Sequence, residues 1–451
     1  MNRLRVLLLV IFAAALPAAR AQPTADSTRF RLVTLDPGHF HASLVQKFMY
    51  TDVDPVVHVY APAGDDVAEH LKRVESFNAR ADQPTHWHEQ VYTGADFFEK
   101  MLAEKAGNVV VISGNNARKM DYVARAIDAG LNVLADKPMA VTPADFARLQ
   151  AAFATAAAKR VLLYDIMTER FEITTILQRE LSQRLALFGE LAPGTPLDPT
   201  ITMESVHYFS KVVAGAPLKR PAWFFDVRQQ GEAISDVATH LVDLVQWELF
   251  PTQTLSPADV DMQHARRWAT LISRLQFRRV TGDDDFPAFL RDEVKDDVLQ
   301  EFANGEFTYR LRGVTARVSA EWRFEPPPGG GDSHHSILRG TKAKLEIRQT
   351  AAEKFKPVLY VEQVKIDEAP LAAAIAALQA KYPGIGFVRS GEAWMITVPD
   401  KYDVGHEAHF SQVTEDFLRY LRDGRVPAWE IAAMLTKYAT TTRAYALSHA
   451  R

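Results

Sequence analysis

The sequence contains no cysteine, which excludes disulfide bonds, thiolate metal sites and lipidation at cysteine. An excess of one charge is also missing, since 52 Lys and Arg stand against 56 Asp and Glu for a formal net charge of −4. This balance predicts neither nucleic acid nor an anionic membrane as a partner. After the first residues, no apolar run approaches the roughly 20 residues of a membrane span. Low-complexity tracts and short-period repeats are absent as well.

Residues 1–21 are typical of a secretory signal peptide. Arg3 and Arg5 form a basic start, an apolar run of about a dozen residues follows, and Ala19-Arg20-Ala21 fits an A-x-A cleavage site. The two arginines are not adjacent, so this is not a twin-arginine signal. We therefore predict export by the general secretion route and cleavage after Ala21. The mature protein is expected to be soluble and periplasmic or secreted, without a membrane anchor.

Residues 30–160 alternate between strand-like and helix-like segments. The pattern predicts strands over 30–35, 55–60, 107–113 and 132–135, and helices over 41–50, 67–77, 117–129 and 143–158. Thr142 is placed to cap the last of these helices. Strands that alternate with helices favour an α/β class, here an N-terminal Rossmann-like, doubly wound parallel sheet.

Residues 161–451 follow a different pattern, with strands in succession. Strands are predicted over 200–210, 266–279, 305–310, 315–324, 335–339, 343–348 and 357–365, a hairpin over 386–398, and helices over 233–250, 371–381, 409–423 and 429–448. This succession predicts a C-terminal α+β domain with an open, mostly antiparallel sheet. An open sheet needs cover, so we expect a homodimer or homotetramer.

Two stretches carry groups suited to catalysis. In LADKPMA (134–140), Lys137 follows a predicted parallel strand, where open α/β sheets bind ligands. In the predicted helix over 233–250, Asp236, His240 and Asp243 are spaced to share one face. A histidine near its ordinary pKa suits a general base, and a carboxylate one turn away can orient it. A solvated loop lysine and a solvated helix face are the alternative interpretations.

Together these stretches resemble the glucose-fructose oxidoreductase/inositol dehydrogenase (Gfo/Idh/MocA) family. The shared pattern is DKP after a valine-rich strand, then W…D…G…D-x-x-x-H-x-x-D, here Trp223, Asp226, Gly231, Asp236, His240 and Asp243. The similarity covers nearly the whole chain from residue 30 onward. It implies a Rossmann domain with an open-sheet domain, NAD or NADP as cofactor, and a sugar, polyol or related small molecule as substrate.

The resemblance also implies roles for individual residues. Lys137 would hold and polarise the substrate oxygen, His240 would take the hydroxyl proton as hydride leaves, and Asp236 would orient His240. The implied cofactor-binding residues are Asp36, Gly38, His39, His41, Ser113, Asn115, Asn116, Asp136 and Lys137. The implied substrate-binding residues are Asp165, Glu169, His207, Trp223 and His335. For Trp223, a place in the core is the alternative to stacking on a sugar.

The stretch LDPGHFHASL (35–44) departs from the family's glycine-rich loop. Asp36 stands at the first glycine of G-x-G-x-x-G, Gly38 at the second and His41 at the third. The second strand ends without the acidic residue that commonly holds the adenosine ribose, although Asp65 and Asp66 follow closely. Export adds a constraint, because nicotinamide cofactors are scarce outside the cytoplasm. The sequence therefore also suggests a trapped cofactor that serves a redox-neutral, glycoside-cleaving cycle.

Two alternatives use no nicotinamide. Closely spaced histidines at 39/41, 86/88, 334/335 and 406/409, together with His240, Asp236, Glu204 and His207, are compatible with a divalent metal. That interpretation predicts a metal-dependent glycoside lyase or hydrolase, but no spacing matches a strong zinc signature and no ligand is assigned. The other alternative is a non-catalytic sugar-binding protein. The candidate general base argues against a binding protein, because binding alone does not need such a group.

Overall fold

The computed structural model describes residues 30–213 and 216–450. The predicted signal peptide and its cleavage site lie outside these described residues. Among the helices of the described part, none has the length and apolar character that a membrane span requires.

The N-terminal half is a six-stranded, all-parallel sheet of order β3-β2-β1-β4-β5-β6. Its strands are β1 Leu32–Leu35, β2 Val56–Tyr60, β3 His88–Tyr92, β4 Val109–Ile112, β5 Asn132–Asp136 and β6 Leu163–Ile166. Its helices are α1 His41–Leu44, α2 Asp65–Ala79, α3 Phe97–Glu104, α4 Asn116–Asp128 and α5 Pro143–Lys159. The predicted Rossmann-like class is confirmed, because this sheet is doubly wound with the strand order of dinucleotide-binding folds.

Three details of this half differ from the prediction. Helix α1 ends at Leu44 instead of reaching Tyr50. Strand β3 and helix α3 were not predicted, since β3 (HEQVY) is a polar, mostly exposed edge strand without an apolar alternation. The parallel sheet also extends past Arg160, because β6 pairs with β5 and not with the second sheet. Helix α5 begins as predicted, at a capping box between Thr142 and Asp145.

The C-terminal half contains a ten-stranded sheet whose main path is β10-β12-β13-β7-β14-β15-β16-β18-β17. Its elements are α6 Ile173–Ser182, β7 Ile201–Tyr208, β8 Val212–Val213, β9 Ala216–Pro217, α7 Val227–Gln230, α8 Val237–Leu249, β10 Val260–Ser273, α9 Arg274–Thr281, β11 Val294–Lys295, β12 Val298–Leu311, β13 Val314–Arg323, β14 Ser333–Arg339, β15 Ala343–Arg348, β16 Val358–Gln363, α10 Glu368–Leu378, β17 Gly386–Ser390, β18 Ala393–Thr397, α11 His406–Asp423 and α12 Ala428–His449. Only the β13–β7 pair on this path is parallel, which confirms a mixed, mostly antiparallel open sheet.

One predicted strand of this half was too long. Residues 274–279 belong to helix α9, because Ser273 and Gln276 form a capping box that ends β10 and starts the helix. Helix α6 was not predicted. The two last helices return to the first domain, where Phe410, Phe417 and Tyr438 are buried in the core of the parallel sheet. This return closes one side of a cleft between the two halves.

Candidate active site

A cavity of about 1230 Å³ lies in this cleft, at the carboxyl ends of the parallel strands. Its walls come from both halves, with His39 and Lys137 on one side and His240, His334 and His406 on the other. The order of the parallel strands reverses between β1 and β4, and open α/β sheets bind ligands beside such a switch point. The location predicted for a ligand therefore holds a cavity of suitable size.

Lys137 and Asp236 form a buried ion pair across the cleft. Lys137 Nζ donates to Asp236 Oδ1 at 2.5 Å, and Gln230 Nε2 donates to Asp236 Oδ2 at 3.2 Å. The two side chains of the ion pair are 9 and 3 % exposed. Burial alone would lower the pKa of Lys137, but the carboxylates of Asp236 and Asp136 outweigh burial and raise that pKa. The cavity wall therefore carries a lysine that stays charged.

His240 lies one turn into α8 and also lines the cavity. Its Nδ1 is enclosed and has no hydrogen-bond partner among the described residues. Burial, and secondly the nearby Lys137 charge, lowers the pKa of His240 to about 4. The ring is therefore neutral at neutral pH. Asp236 holds Lys137 and does not orient His240 as expected, since its backbone precedes the helix and its side chain faces the lysine.

Asp243 and Asp165 belong to a separate buried network. Arg170 Nε and Lys437 Nζ both donate to Asp243, and Lys437 Nζ also pairs with Asp165 at 2.8 Å. Tyr438 donates its hydroxyl to Asp165 Oδ2 at 2.9 Å. Neither carboxylate lines the cavity. The substrate role expected for Asp165 is therefore corrected, because ion pairs hold its carboxylate away from the cavity. Asp243 follows His240 by three residues in α8 but does not line the cavity with it, because its carboxylate is held in the same network.

The loop between β1 and α1 supplies the floor of the cavity. His41 Nδ1 lies 3.0 Å from Asp136 Oδ2, His39 Nδ1 lies 3.4 Å from the same oxygen, and Ser113 Oγ donates to it at 2.9 Å. Asp36 has a left-handed backbone with φ +46° and accepts the Tyr122 hydroxyl at 2.8 Å. Four predicted cofactor residues thus form one cluster beside Lys137, while Asp36 faces Tyr122.

Gly38 lies directly under Trp223. A Cβ at Gly38 would stand 3.0 Å from Trp223 Cζ2 and 3.1 Å from Asp66 Oδ2. The Trp223 indole donates to Asp66 Oδ2 at 2.9 Å. Trp223 thus packs over the loop and is not part of the large cavity, which corrects its expected place among the substrate residues. The asparagines after β4 connect the halves: Asn115 donates to Gln229 Oε1 and Asn116 to the Gln230 carbonyl.

On strand β14, the histidine that lines the cavity is His334, the neighbour of the predicted His335. His335 lies on the open face of the sheet, bonded to Glu204 and Glu346, and these two hydrogen bonds raise its pKa to about 9. His334 instead lines the cavity, because successive residues of a strand point to opposite faces. The expected substrate role of His335 is therefore corrected. The sequence does not assign the two histidines to faces, because the following Ile337 and Leu338 are both apolar; the buried Ser336 and Leu338 show that His334 shares their face.

Two further groups of polar residues line the cavity. His207 links Ser205 Oγ at Nε2, 2.9 Å away, to Asp332 Oδ2 at Nδ1, 3.1 Å away. Burial would raise the pKa of Glu169, but four histidines outweigh burial and lower that pKa to about 2. These four are His406, His240, His334 and His409. Sequence reasoning placed Glu169 and His207 here, named His334, His406 and His409 only among the histidines compatible with a metal, and missed Ser205 and Asp332.

The site fits a nicotinamide dinucleotide in position and size. A second cavity, of about 340 Å³, adjoins the first at Arg220 and extends to the start of α2, where Arg73 and Lys219 supply positive charge. Gly38 lines this second cavity, and its missing side chain leaves room for Trp223 and Asp66 against the loop. Four acidic residues that line the same cavity are unfavourable neighbours of a phosphate, namely Asp65, Asp66, Glu69 and Asp283. Burial raises the pKa of Asp66, and that of Asp36 nearby, which reduces the cost of neutralising these two.

The comparisons with known proteins agree with this geometry. Residues 38–164 match the family model "Oxidoreductase family, NAD-binding Rossmann fold", and residues 177–449 match "Putative oxidoreductase C terminal domain". A crystal structure from Parabacteroides merdae, described as a "putative oxidoreductase", is 51% identical with a TM-score of 0.91, over 93% of this chain and 98% of that one. Among curated proteins, none matches the chain.

More distant structures share the fold. A levoglucosan dehydrogenase solved with NADH and levoglucosan is 13% identical with a TM-score of 0.58, over 93% of this chain and 97% of that one. A 3-ketoreductase from Actinomadura kijaniata, solved with NADP, is 14% identical with a TM-score of 0.54, over the same shares. The two family models together span both halves, and the nearly full-length match at half identity agrees with them. The chain therefore belongs to the Gfo/Idh/MocA family of NAD(P)-dependent oxidoreductases.

Proposed function

We propose that the protein is an exported enzyme that oxidises a hydroxyl group of a sugar or glycoside with NAD or NADP. The observation that carries this proposal is the pairing of a charged lysine, Lys137, with a neutral histidine, His240, on the walls of one cavity. Oxidation of an alcohol needs both groups, since the oxygen must be polarised and its proton accepted. Aromatic side chains beside polar ones, here Phe224 and Trp322, favour a sugar ring as the ligand.

In this proposal each residue has one task. Lys137 donates a hydrogen bond from Nζ to the reacting oxygen, and Asp236 keeps the ammonium in place. His240 accepts the hydroxyl proton at Nε2, because its Nδ1 is enclosed. When bound, the nicotinamide accepts the hydride from the same carbon. The main chain around Gly38, with Ser113 and Asp136 beside it, would hold the dinucleotide.

The cofactor stays bound through many turnovers if the predicted export is correct. A redox-neutral cycle meets this requirement: the hydroxyl is oxidised, the glycosidic substituent is eliminated as an alcohol, water adds, and the hydride returns to the sugar. The net reaction is then hydrolysis of a glycoside, so no second redox substrate is consumed. Repeated turnover of a glycoside without added nucleotide is the expected result, whereas a single turnover would contradict the cycle.

The decisive experiment starts from protein purified from the periplasmic fraction without added nucleotide. The protein is denatured, and the supernatant is assayed for NAD(H) and NADP(H) by mass spectrometry. Near-stoichiometric nicotinamide is expected, and its identity also separates NAD from NADP. Absence of nucleotide, together with no thermal shift on adding it, would overturn the proposal. A sugar that binds saturably without turnover would instead support a binding protein.

We also propose that a homodimer or homotetramer forms over the open face of the large sheet. That face carries partly exposed ion pairs, among them His335 with Glu204 and Arg348 with Glu346. Light scattering on the purified protein should give a mass of two or four chains. A monomer at micromolar concentration would contradict this assembly.

A further inference from the structure

Asp136 Oδ2 is approached by more polar groups than one carboxylate oxygen needs. His41 Nδ1, His39 Nδ1 and Ser113 Oγ lie 3.0, 3.4 and 2.9 Å from it. His39 Nδ1 is enclosed and makes no hydrogen bond within the described chain. The two imidazole rings stand edge to face with centroids 4.0 Å apart, so their nitrogens converge on one point. Two imidazole nitrogens thus converge on one carboxylate oxygen, and one of these nitrogens has no hydrogen-bond partner in the described chain.

The spacing of the three ligand atoms suits a small transition-metal ion. Metal–nitrogen and metal–oxygen bonds of about 2.0–2.2 Å in a tetrahedral site place neighbouring ligand atoms about 3.3 Å apart. The two measured separations from Asp136 Oδ2, 3.0 and 3.4 Å, bracket that value. The three ligand atoms lie within 4.8 Å of one another. Both contacts to Asp136 Oδ2 therefore have the length that two ligands of one small ion would have.

The two lysines beside the cluster are held by other groups. Lys137 is paired with Asp236, and Lys119 donates to the main-chain carbonyl of Asp136. Neither ammonium group therefore takes the place of a cation at the Asp136 carboxylate oxygen that the two histidines approach.

We propose that His39, His41 and Asp136 bind a divalent transition-metal ion, of which Zn²⁺ and Fe²⁺ fit two imidazoles and one carboxylate best. Three protein ligands leave a coordination position open, as in catalytic rather than structural sites. Since His39, His41 and Lys137 line the same cavity, that position faces the cavity and would take water or a ligand oxygen. Since the proposed function also places Asp136 beside the dinucleotide, the metal and the nicotinamide would be neighbours in one cavity, and their contents are measured separately.

Metal analysis of protein prepared without a polyhistidine tag tests the proposal. The wild type should contain, or take up after incubation with Zn²⁺ or Co²⁺, close to one ion per chain. Bound Co²⁺ should show the visible absorption of a low-symmetry nitrogen and oxygen site. The double variant His39→Gln/His41→Gln should lose both signals, while His88→Gln, which changes an exposed histidine on β3, should keep both.

Two results would overturn the site. One is wild-type protein that binds neither Zn²⁺ nor Co²⁺ stoichiometrically in a calorimetric titration. The other is a double variant that keeps the ion, which would place the ion elsewhere in the cavity. A wild type that binds no ion overturns the site without any variant, and the single variants His39→Gln and His41→Gln locate the ion if the double variant fails to fold. Nucleotide content measured on the same samples separates failure of this site from failure of the proposed oxidoreductase function.

Discussion

Lys137 at the end of β5 donates a hydrogen bond to Asp236 at the start of α8, and this bond joins the two halves of the chain at the cavity. The family motif contains both residues but does not indicate that they pair. The pairing gives Lys137 a fixed position and a charge, and it leaves His240 neutral and unpaired one helical turn away. One ion pair thus positions Lys137, which polarises the oxygen, and leaves His240 free to accept the proton.

Breaking this pair should reduce both stability and turnover. In Lys137→Met, the Asp236 carboxylate stays buried without its partner, so the free energy of unfolding should fall by about 3–5 kcal/mol. The double variant Lys137→Met/Asp236→Asn removes both charges and should recover much of that loss in urea unfolding, yet remain inactive. A Lys137→Met protein with wild-type stability and kcat/KM would contradict the role of the pair.

His240 should give the pH profile of a base that stays unprotonated in mild acid. Its pKa is lowered to about 4 because burial disfavours the charged ring, and Glu169 and Asp136 only partly offset the effects of burial, Lys137 and His406. The active, neutral form therefore persists down to about pH 5. Below about pH 4, kcat/KM should fall about tenfold per pH unit. Pre-incubation at each pH, followed by assay at pH 7, separates titration from denaturation.

His240→Gln gives the matching loss of function. Removing a general base should lower kcat/KM by about 10²–10⁴-fold and leave the melting temperature nearly unchanged, since His240 makes no hydrogen bond through Nδ1. His88→Gln, on the exposed edge strand, is the control and should behave like the wild type. A His240→Gln protein with wild-type kcat/KM would argue against His240 as the base, whereas an acid limb near pH 6.5 in the wild type would contradict only the lowered pKa of His240.

The sequence was sufficient for features that each segment encodes locally. The apolar VVVI of β4 and the capping box at Thr142 define their elements without distant contacts. Lys137 and His240 were identified because a motif carries them. The pairing of Asp236 with Lys137 was not identified, because Asp236 precedes the first turn of α8 and the argument from a shared helix face does not apply to it.

Other parts of the site depend on contacts that no local pattern records. Glu169 is surrounded by histidines from α8, β14 and α11, three elements far apart in the chain. His334 was not placed in the cavity because the two adjacent histidines could not be assigned to faces until the strand register was known. The family resemblance implied that Asp165 binds substrate, yet its carboxylate forms an ion pair with Lys437 of the last helix.

Asp165 should therefore prove structural. Asp165→Asn weakens two hydrogen bonds to a charged group, those from Tyr438 and Lys437, and should cost about 1–3 kcal/mol of unfolding free energy. KM should stay unchanged, because the side chain does not line the cavity. Glu169→Gln is the matched comparison within the cavity and should change KM or kcat. A raised KM in Asp165→Asn with normal stability would restore the substrate role.

His70 provides a test of stability that is separate from the site. It lies in α2 at 2 % exposure, and neither ring nitrogen has a hydrogen-bond partner among the described residues. Two buried, unsatisfied polar atoms cost free energy, so His70→Leu should stabilise the protein by about 1–3 kcal/mol at pH 7. His86→Leu, at an exposed position, is the control and should change the stability little.

The gain from His70→Leu should increase in acid. Burial lowers the pKa of His70 to about 3, while the unfolded chain binds this proton near pH 6.5. As the pH falls from 6.5 toward 3, the unfolded state takes up a proton that the folded state cannot, so the wild type loses about 1.4 kcal/mol per pH unit through this residue. The variant lacks this loss. Urea unfolding at pH 7 and pH 5 should therefore show a larger difference between variant and wild type at pH 5. An equal difference at both values would mean that His70 is protonated or solvated in the folded protein.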